Sequence, residues 1–171
     1  MSNNKLTKPV VAANWKMHPK TVAQAKKLFS GVKRTAPHLE HPTTVICPPD
    51  LYLGVLADNY GGSKIYLGSQ DVSAKKRVGS FTGEISAEQV ASTGAAVSIV
   101  GHSERRAMGE SNELITQKTK RALAAGLQVM LCIGEHERDE DGEYLAFLRK
   151  QILAVYKAIP RRLYDQIIIA Y

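Results

Sequence analysis

The fold is decided by residues 96–133, which read AVSIVGHSERRAMGESNELITQKTKRALAAGLQVMLCI. The stretch begins and ends with nearly continuous apolar runs, residues 96–100 and 128–133, which are typical of strands covered on both faces. Between them, residues 112–125 carry apolar side chains at three- and four-residue steps, which predicts a helix that Gly126 ends. The stretch therefore predicts one strand–helix–strand unit of a parallel sheet.

The same unit recurs on both sides of this stretch. Short β-rich runs alternate with segments of helical periodicity, which is the rhythm of repeated βα units. The six predicted strands are residues 10–13, 43–47, 65–68, 96–100, 128–133 and 166–171. No low-complexity segment or interdomain linker interrupts them.

The segments between the strands predict helices on physical grounds. Ser86 followed by Gln89 fits a capping box, so a helix is expected to begin there and to stop near Gly94. Two further helices are marked by apolar stripes, and Pro160 closes the second. The stripes consist of Val22, Ala25, Leu28, Phe29 and Val32, and of Tyr144, Leu148, Ile152, Val155 and Ile159.

Two architectures fit six βα-type strands, an open doubly wound sheet or a (β/α)8 barrel. An open nucleotide-binding sheet usually has a glycine-rich turn after its first strand, whereas residues 14–18 read NWKMH and contain no glycine. A complete barrel has eight strands and typically about 250 residues. Residues 1–171 are therefore predicted to form a single, partial TIM-barrel domain, the first six parallel strands with outer helices, lacking the last two βα units.

The composition narrows the possible partners and location. The net charge of +7 is compatible with a polyanion partner such as a nucleic acid. However, the one basic triplet, residues 75–77, has no interleaved aromatic residues, and we interpret it as a solvated loop. Cys47 and Cys132 lack metal-ligand spacing and are expected to be reduced, buried thiols. No apolar stretch approaches the roughly 20 residues that span a bilayer, and residues 1–8 lack a signal-peptide core. We expect a cytoplasmic protein without metal, nucleic acid or membrane partners.

Polar side chains follow the first and fourth predicted strands. Asn14 and Lys16 would place an amide and a fixed cation at the mouth of a barrel, which suits an anionic or carbonyl-bearing substrate. A strand cap and a surface lysine is the alternative interpretation. His102 would lie at a helix N-terminus, where the dipole disfavours the imidazolium, so a neutral ring could donate a hydrogen bond to a carbonyl oxygen. A structural histidine is equally compatible, and Glu104 could be a dipole partner or a salt-bridge residue.

Taken together, these segments resemble the triosephosphate isomerase family. The resemblance covers almost the whole chain, in the family's order. The matching segments are Asn14-Trp15-Lys16-Met17, Cys47-Pro48-Pro49, residues 68–73 (GSQDVS), residues 79–86 (GSFTGEIS), residues 100–106 (VGHSERR), residues 131–135 (LCIGE) and Ile169-Ala170-Tyr171.

The resemblance implies interconversion of dihydroxyacetone phosphate and glyceraldehyde 3-phosphate through an enediolate, in glycolysis and gluconeogenesis, without a cofactor. It implies that Lys16 supplies positive potential for the phosphate and the oxyanion, that Asn14 orients the substrate and that His102 is a neutral electrophile. It also implies supporting positions. These are Ser103 and Cys132 beside the site, and Thr82 at the tip of the loop that enters the neighbouring subunit in family homodimers. Glu104 is implied to be a third catalytic residue, a carboxylate that contacts Lys16.

The family continues after Ala170-Tyr171 with the glutamate that removes the substrate proton, and then with a lid loop and phosphate-binding loops. The resemblance therefore implies that the 171-residue chain is an N-terminal part, inactive without a complementing C-terminal fragment. A non-catalytic assembly fragment of a split or truncated barrel is the alternative. A different phosphate-handling barrel enzyme is disfavoured because the motifs after the first and fourth strands occur together.

Overall fold

The computed structural model describes residue 6 and residues 9–39, 43–135, 137–138 and 140–171. Its strands and helices alternate as predicted. The strands are β1 (Val10–Asn14), β2 (Thr43–Cys47), β3 (Ile65–Ser69), β4 (Val97–Val100), β5 (Gln128–Cys132) and β6 (Ile167–Ala170). The α-helices are α1 (Val22–Thr35), α2 (Leu53–Ala57), α3 (Ala87–Ser92), α4 (Ser103–Ala107), α5 (Asn112–Ala124) and α6 (Glu143–Tyr156). Short 3-10 helices cover Ala36–His38, Asp50–Tyr52 and Arg161–Gln166.

The six strands form one parallel sheet in the order β1-β2-β3-β4-β5-β6. A doubly wound sheet reverses its strand order at a switch point, and this sheet does not, so the open nucleotide-binding alternative is wrong. The sheet curls as an incomplete TIM barrel with helices outside it, which confirms the predicted fold class.

Two apolar clusters pack on the two faces of the sheet. The larger one fills the space between the strands and the helices and includes Phe29 of α1, Leu53 of α2 and Ile115 of α5. The smaller one includes residues of β2, β4 and β5 that alternate with the outward-facing ones, as expected inside a barrel. Its buried members are Leu6, Val45, Cys47, Val97, Ile99 and Met130.

The helix boundaries follow the predicted signals. Ser86 Oγ accepts from the Gln89 N–H (3.2 Å) and Gln89 Oε1 accepts from the Ser86 N–H (2.8 Å), so the capping box at α3 is confirmed. Gly126 follows α5 with a φ of 85°, a conformation that glycine adopts without a steric penalty. In α1, Ala25 and Phe29 are buried as predicted.

Two members of the α1 stripe are not buried. Val22 and Leu28 are 42% and 47% exposed, because they lie at the flank of the stripe, beyond the part that packs on the core. The helix α2 was not predicted, since five residues are too few to show a helical period.

The two outermost strands are less buried than the central ones. All four residues of β4 are buried, whereas Val11 of β1 is 53% exposed and Ile169 of β6 is 39% exposed. Both strands pair on one side only among the described residues. Unpaired strand edges of this kind are templates for association with further strands.

Candidate active site

The backbone after β1 is held in an unusual conformation. Lys16 has a φ of 54°, and its N–H donates to Asn14 Oδ1 at 2.8 Å. Its carbonyl accepts a hydrogen bond from Gln70 Nε2 at 2.8 Å. Asn14 and Gln70 therefore both hold the Lys16 backbone. Gln70 was not predicted as a site residue.

Lys16, Glu104 and His102 form a connected chain of polar contacts. Lys16 Nζ donates to Glu104 Oε1 at 2.8 Å, and the Glu104 N–H donates to His102 Nδ1 at 3.2 Å. The hydrogen bond from Lys16 lowers the pKa of the Glu104 carboxyl below its usual value. The structure thus brings together three of the predicted site residues, which come from the ends of two different strands.

The hydrogen bond to His102 fixes the tautomer of its ring. Because Nδ1 accepts the Glu104 N–H, the hydrogen of the neutral imidazole lies on Nε2. His102 is the N-cap residue of α4, as predicted. A neutral ring with an Nε2–H can donate to a substrate oxygen without carrying a full charge.

Arg106 fixes the loop that carries His102. Its Nε donates to the Gly101 carbonyl at 2.8 Å and its Nη2 to the Cys132 carbonyl at 3.0 Å, which ties the end of β4 to the end of β5. Gly101 has a φ of 74°, and a Cβ there would lie 3.1 Å from Arg106 Nη2 and 3.3 Å from the Cys132 carbonyl oxygen. Arg106 was not predicted as a site residue, although it lies in the quoted motif.

The remaining predicted positions are less closely connected. Ser103 is the exposed first residue of α4. Cys132 ends β5 and is only partly buried, contrary to the expectation of a buried thiol, whereas Cys47 is buried. Thr82 lies in an exposed turn between β3 and α3, and no contact recorded among the described residues joins it to Lys16 or His102.

A partly buried carboxyl group, that of Asp50, contacts the residue that follows β3. Burial raises the pKa of Asp50 to about 6 from an ordinary value of 3.8, although its Oδ1 accepts the Gln70 N–H at 3.2 Å. Because the pKa is higher in the folded chain than in the unfolded one, ionisation of Asp50 favours unfolding. Its contribution to stability is present below about pH 4 and is lost as the pH rises through 6.

We expect Asp50→Asn to increase the free energy of unfolding by about 2 kcal/mol at pH 7.5 and by much less at pH 4. The asparagine keeps the acceptor for Gln70 and has no charge to desolvate. Urea unfolding of parent and variant at the two pH values measures the difference. Asp58→Asn, which changes an exposed carboxylate, is the matched control. A gain that does not vary with pH would contradict this account of Asp50.

No metal site or membrane helix is evident in the described part of the chain. Among these residues no group of three or more His, Cys, Asp or Glu side chains is placed to hold a metal ion. None of the helices described is long and apolar enough to cross a membrane.

A curled parallel sheet with polar side chains gathered at the carboxyl ends of its strands is the arrangement of TIM-barrel enzymes. A sequence model described as "Triosephosphate isomerase" matches residues 9–171. Three relatives of that name are 39% identical over 165 residues (Symbiobacterium thermophilum), 34% over 171 residues (Pseudomonas putida) and 38% over 168 residues (Xanthomonas campestris). These matches cover 95%, 97% and 97% of this chain but 64%, 66% and 66% of the relatives. The chain belongs to the triosephosphate isomerase family.

Proposed function

We propose that this chain supplies the substrate-binding and electrophilic half of a triosephosphate isomerase site. The reaction interconverts dihydroxyacetone phosphate and glyceraldehyde 3-phosphate by proton transfer through an enediolate. The proposal rests on two hydrogen bonds, from the Lys16 ammonium to the Glu104 carboxylate and from the Glu104 N–H to His102 Nδ1. This arrangement places a cation after β1 and a hydrogen-bond donor after β4, where they can stabilise negative charge that develops on a substrate oxygen.

Each side chain has a role in this proposal. Lys16 attracts the phosphate and stabilises the developing oxyanion, while Asn14 orients the substrate and holds the lysine backbone. His102 donates from Nε2 to the carbonyl and hydroxyl oxygens as the proton moves between the two carbons. Glu104 holds the Lys16 ammonium in place. Ser103 and Cys132 are supporting positions.

The catalytic base and the phosphate-binding loops are proposed to come from a C-terminal segment. The relatives are longer than this chain, and the family glutamate follows the Ala-Tyr pair that residues 170 and 171 resemble. Residues 1–171 would then be one partial barrel domain. The exposed edges of β1 and β6 are where the remaining strands would pair. We further propose a cytoplasmic enzyme, without a cofactor, that forms a homodimer through the turn that contains Thr82.

A non-catalytic assembly role is the second candidate. It is favoured by the partial exposure of Val11 and Ile169 at the two sheet edges, since such edges promote association whether or not a complete site results. The two candidates differ in one measurable property. The isomerase proposal requires that activity depend on Lys16 and His102, and the assembly proposal does not.

The test uses a completed barrel, defined as residues 1–171 followed in frame by the C-terminal segment of the Symbiobacterium thermophilum relative that lies beyond the match. We expect isomerase activity in a coupled assay, and about a 10²–10³-fold lower kcat for His102→Gln, because one donor to the oxyanion is lost. Lys16→Met should lower kcat/KM by a similar factor.

Lys120→Met, which removes an exposed lysine on α5, is the matched control and should retain parental kinetics. Circular dichroism and sedimentation would verify that each variant is folded. A folded completed barrel without activity, or one whose activity survives both site substitutions, would contradict the proposed function.

A further inference from the structure

Lys16 is held in a conformation that its own side chain disfavours. Among the described residues it is the one non-glycine residue with a positive φ, 54°. Side chains with a Cβ rarely adopt this region, and they remain there only where surrounding contacts enforce it. The contacts that enforce it therefore control where the lysine side chain begins.

Two side chains from different strand ends hold the Lys16 peptide groups. Asn14 Oδ1 accepts the Lys16 N–H at 2.8 Å, and Gln70 Nε2 donates to the Lys16 carbonyl at 2.8 Å. Asn14 lies only two residues away, so its contact is local. Gln70 lies 54 residues away, directly after β3, and its contact fixes the lysine relative to the rest of the sheet.

Gln70 itself is fixed by further hydrogen bonds. Its Nε2 also donates to the Cys47 carbonyl at 3.0 Å, so both hydrogens of the amide are used. Its backbone N–H donates to Asp50 Oδ1 at 3.2 Å. The Cys47 carbonyl additionally accepts the Trp15 N–H at 2.9 Å. One glutamine therefore joins the loop after β1 to the end of β2 from its own place after β3.

We propose that Gln70 is a positioning residue for Lys16. It holds the lysine backbone at positive φ so that Nζ reaches Glu104 Oε1, 2.8 Å away, and is ready for an anionic substrate. Gln70 acts through Lys16 and carries no chemical step. This inference rests on the proposed function for its kinetic consequence, but its structural consequence is independent of activity.

The kinetic test is a double-mutant cycle in the completed barrel. Gln70→Met keeps the length of the side chain and removes both hydrogen bonds. We expect it to lower kcat/KM about tenfold in the parent, and to have no further effect when Lys16→Met is already present, because coupled residues are not additive. An equal loss in both backgrounds would show that Gln70 does not act through Lys16 and would overturn the proposal.

Gln151→Met is the matched control. Gln151 also binds the backbone of a loop through its side-chain amide. Its Oε1 accepts the Gly134 N–H at 3.0 Å, and its Nε2 donates to the Gly134 carbonyl at 2.9 Å. No recorded contact among the described residues joins it to Lys16. Its substitution should change kcat/KM by the same factor with and without Lys16→Met.

A crystal structure of the Gln70→Met variant gives the second, activity-independent readout. We expect Lys16 to leave its positive φ and Nζ to separate from Glu104. A structure in which Lys16 keeps both would overturn the proposal. If the completed barrel folds but is inactive, the proposed function fails, and this structure alone decides the role of Gln70.

Discussion

The polypeptide of residues 1–171, assayed without a complementing segment, is expected to isomerise glyceraldehyde 3-phosphate at the background rate, at least about 10⁴-fold more slowly than the completed barrel. General-base catalysis alone typically contributes about 10²–10⁴-fold. The loops that the family uses to bind phosphate would also stabilise the transition state, and this contribution is lost when they are not supplied. In the proposed function Lys16, Glu104 and His102 bind and polarise the substrate, but polarisation without proton removal does not complete the reaction.

Adding the C-terminal segment as a separate chain should restore activity, and His102→Gln in the first chain should remove it again. The sample must have an intact mass that corresponds to 171 residues, which excludes contamination by a longer enzyme. Turnover by the 171-residue polypeptide within tenfold of the completed barrel, and lost on Lys16→Met, would show that the prediction is wrong.

The largest expected effect on stability comes from Lys118→Met, which we expect to lower the free energy of unfolding by about 3 kcal/mol. Lys118 Nζ lies 2.5 Å from both Asp71 Oδ2 and Glu110 Oε1, and the side chains of Lys118 and Glu110 are each 5% exposed. Removing the ammonium leaves the carboxylates of Asp71 and Glu110 close together, with less positive charge beside them and little water to solvate them. The expected loss is at the low end for a broken buried pair because Arg105 still contacts both carboxylates.

Urea unfolding at neutral pH measures this loss. Lys120→Met removes a lysine two positions away that is exposed, and it should change the free energy of unfolding by less than about 0.5 kcal/mol. Equal effects for the two substitutions would contradict the importance of the buried cluster.

The strands were predictable from the sequence to within about one residue because each is a nearly continuous run of β-rich, mostly apolar residues. Val10–Asn14 and Ile65–Ser69 each extend only one residue beyond the prediction. The hydrogen bonds by which Gln70 and Arg106 hold the loops were not predictable. Gln70 and Arg106 act through contacts 54 and 26 residues away in the sequence, and neither composition nor periodicity reports which carbonyl an amide or a guanidinium will meet.

The positions of the site residues were partly predictable. His102 precedes a short helix and Lys16 follows the first strand, so both were expected at strand ends. The tautomer of His102 and the positive φ of Lys16 could be described only from the structure, because the contacts with Glu104 and Gln70 at these positions are not evident in the sequence. The burial of Lys118 was missed as well, since a lysine on a helix is ordinarily exposed and only a partner from another segment explains its position.

The sequential order of the six strands also bears on how the chain acquires its structure during synthesis. Each strand pairs with the one made just before it, and the connection always contains helical segments that lie close in the sequence. The pairings join residues as far apart as Val129 and Ile167, but none of them spans the whole chain. No strand of the sheet therefore has to wait for a strand translated later than its next neighbour, so the pairing order can follow the order of synthesis.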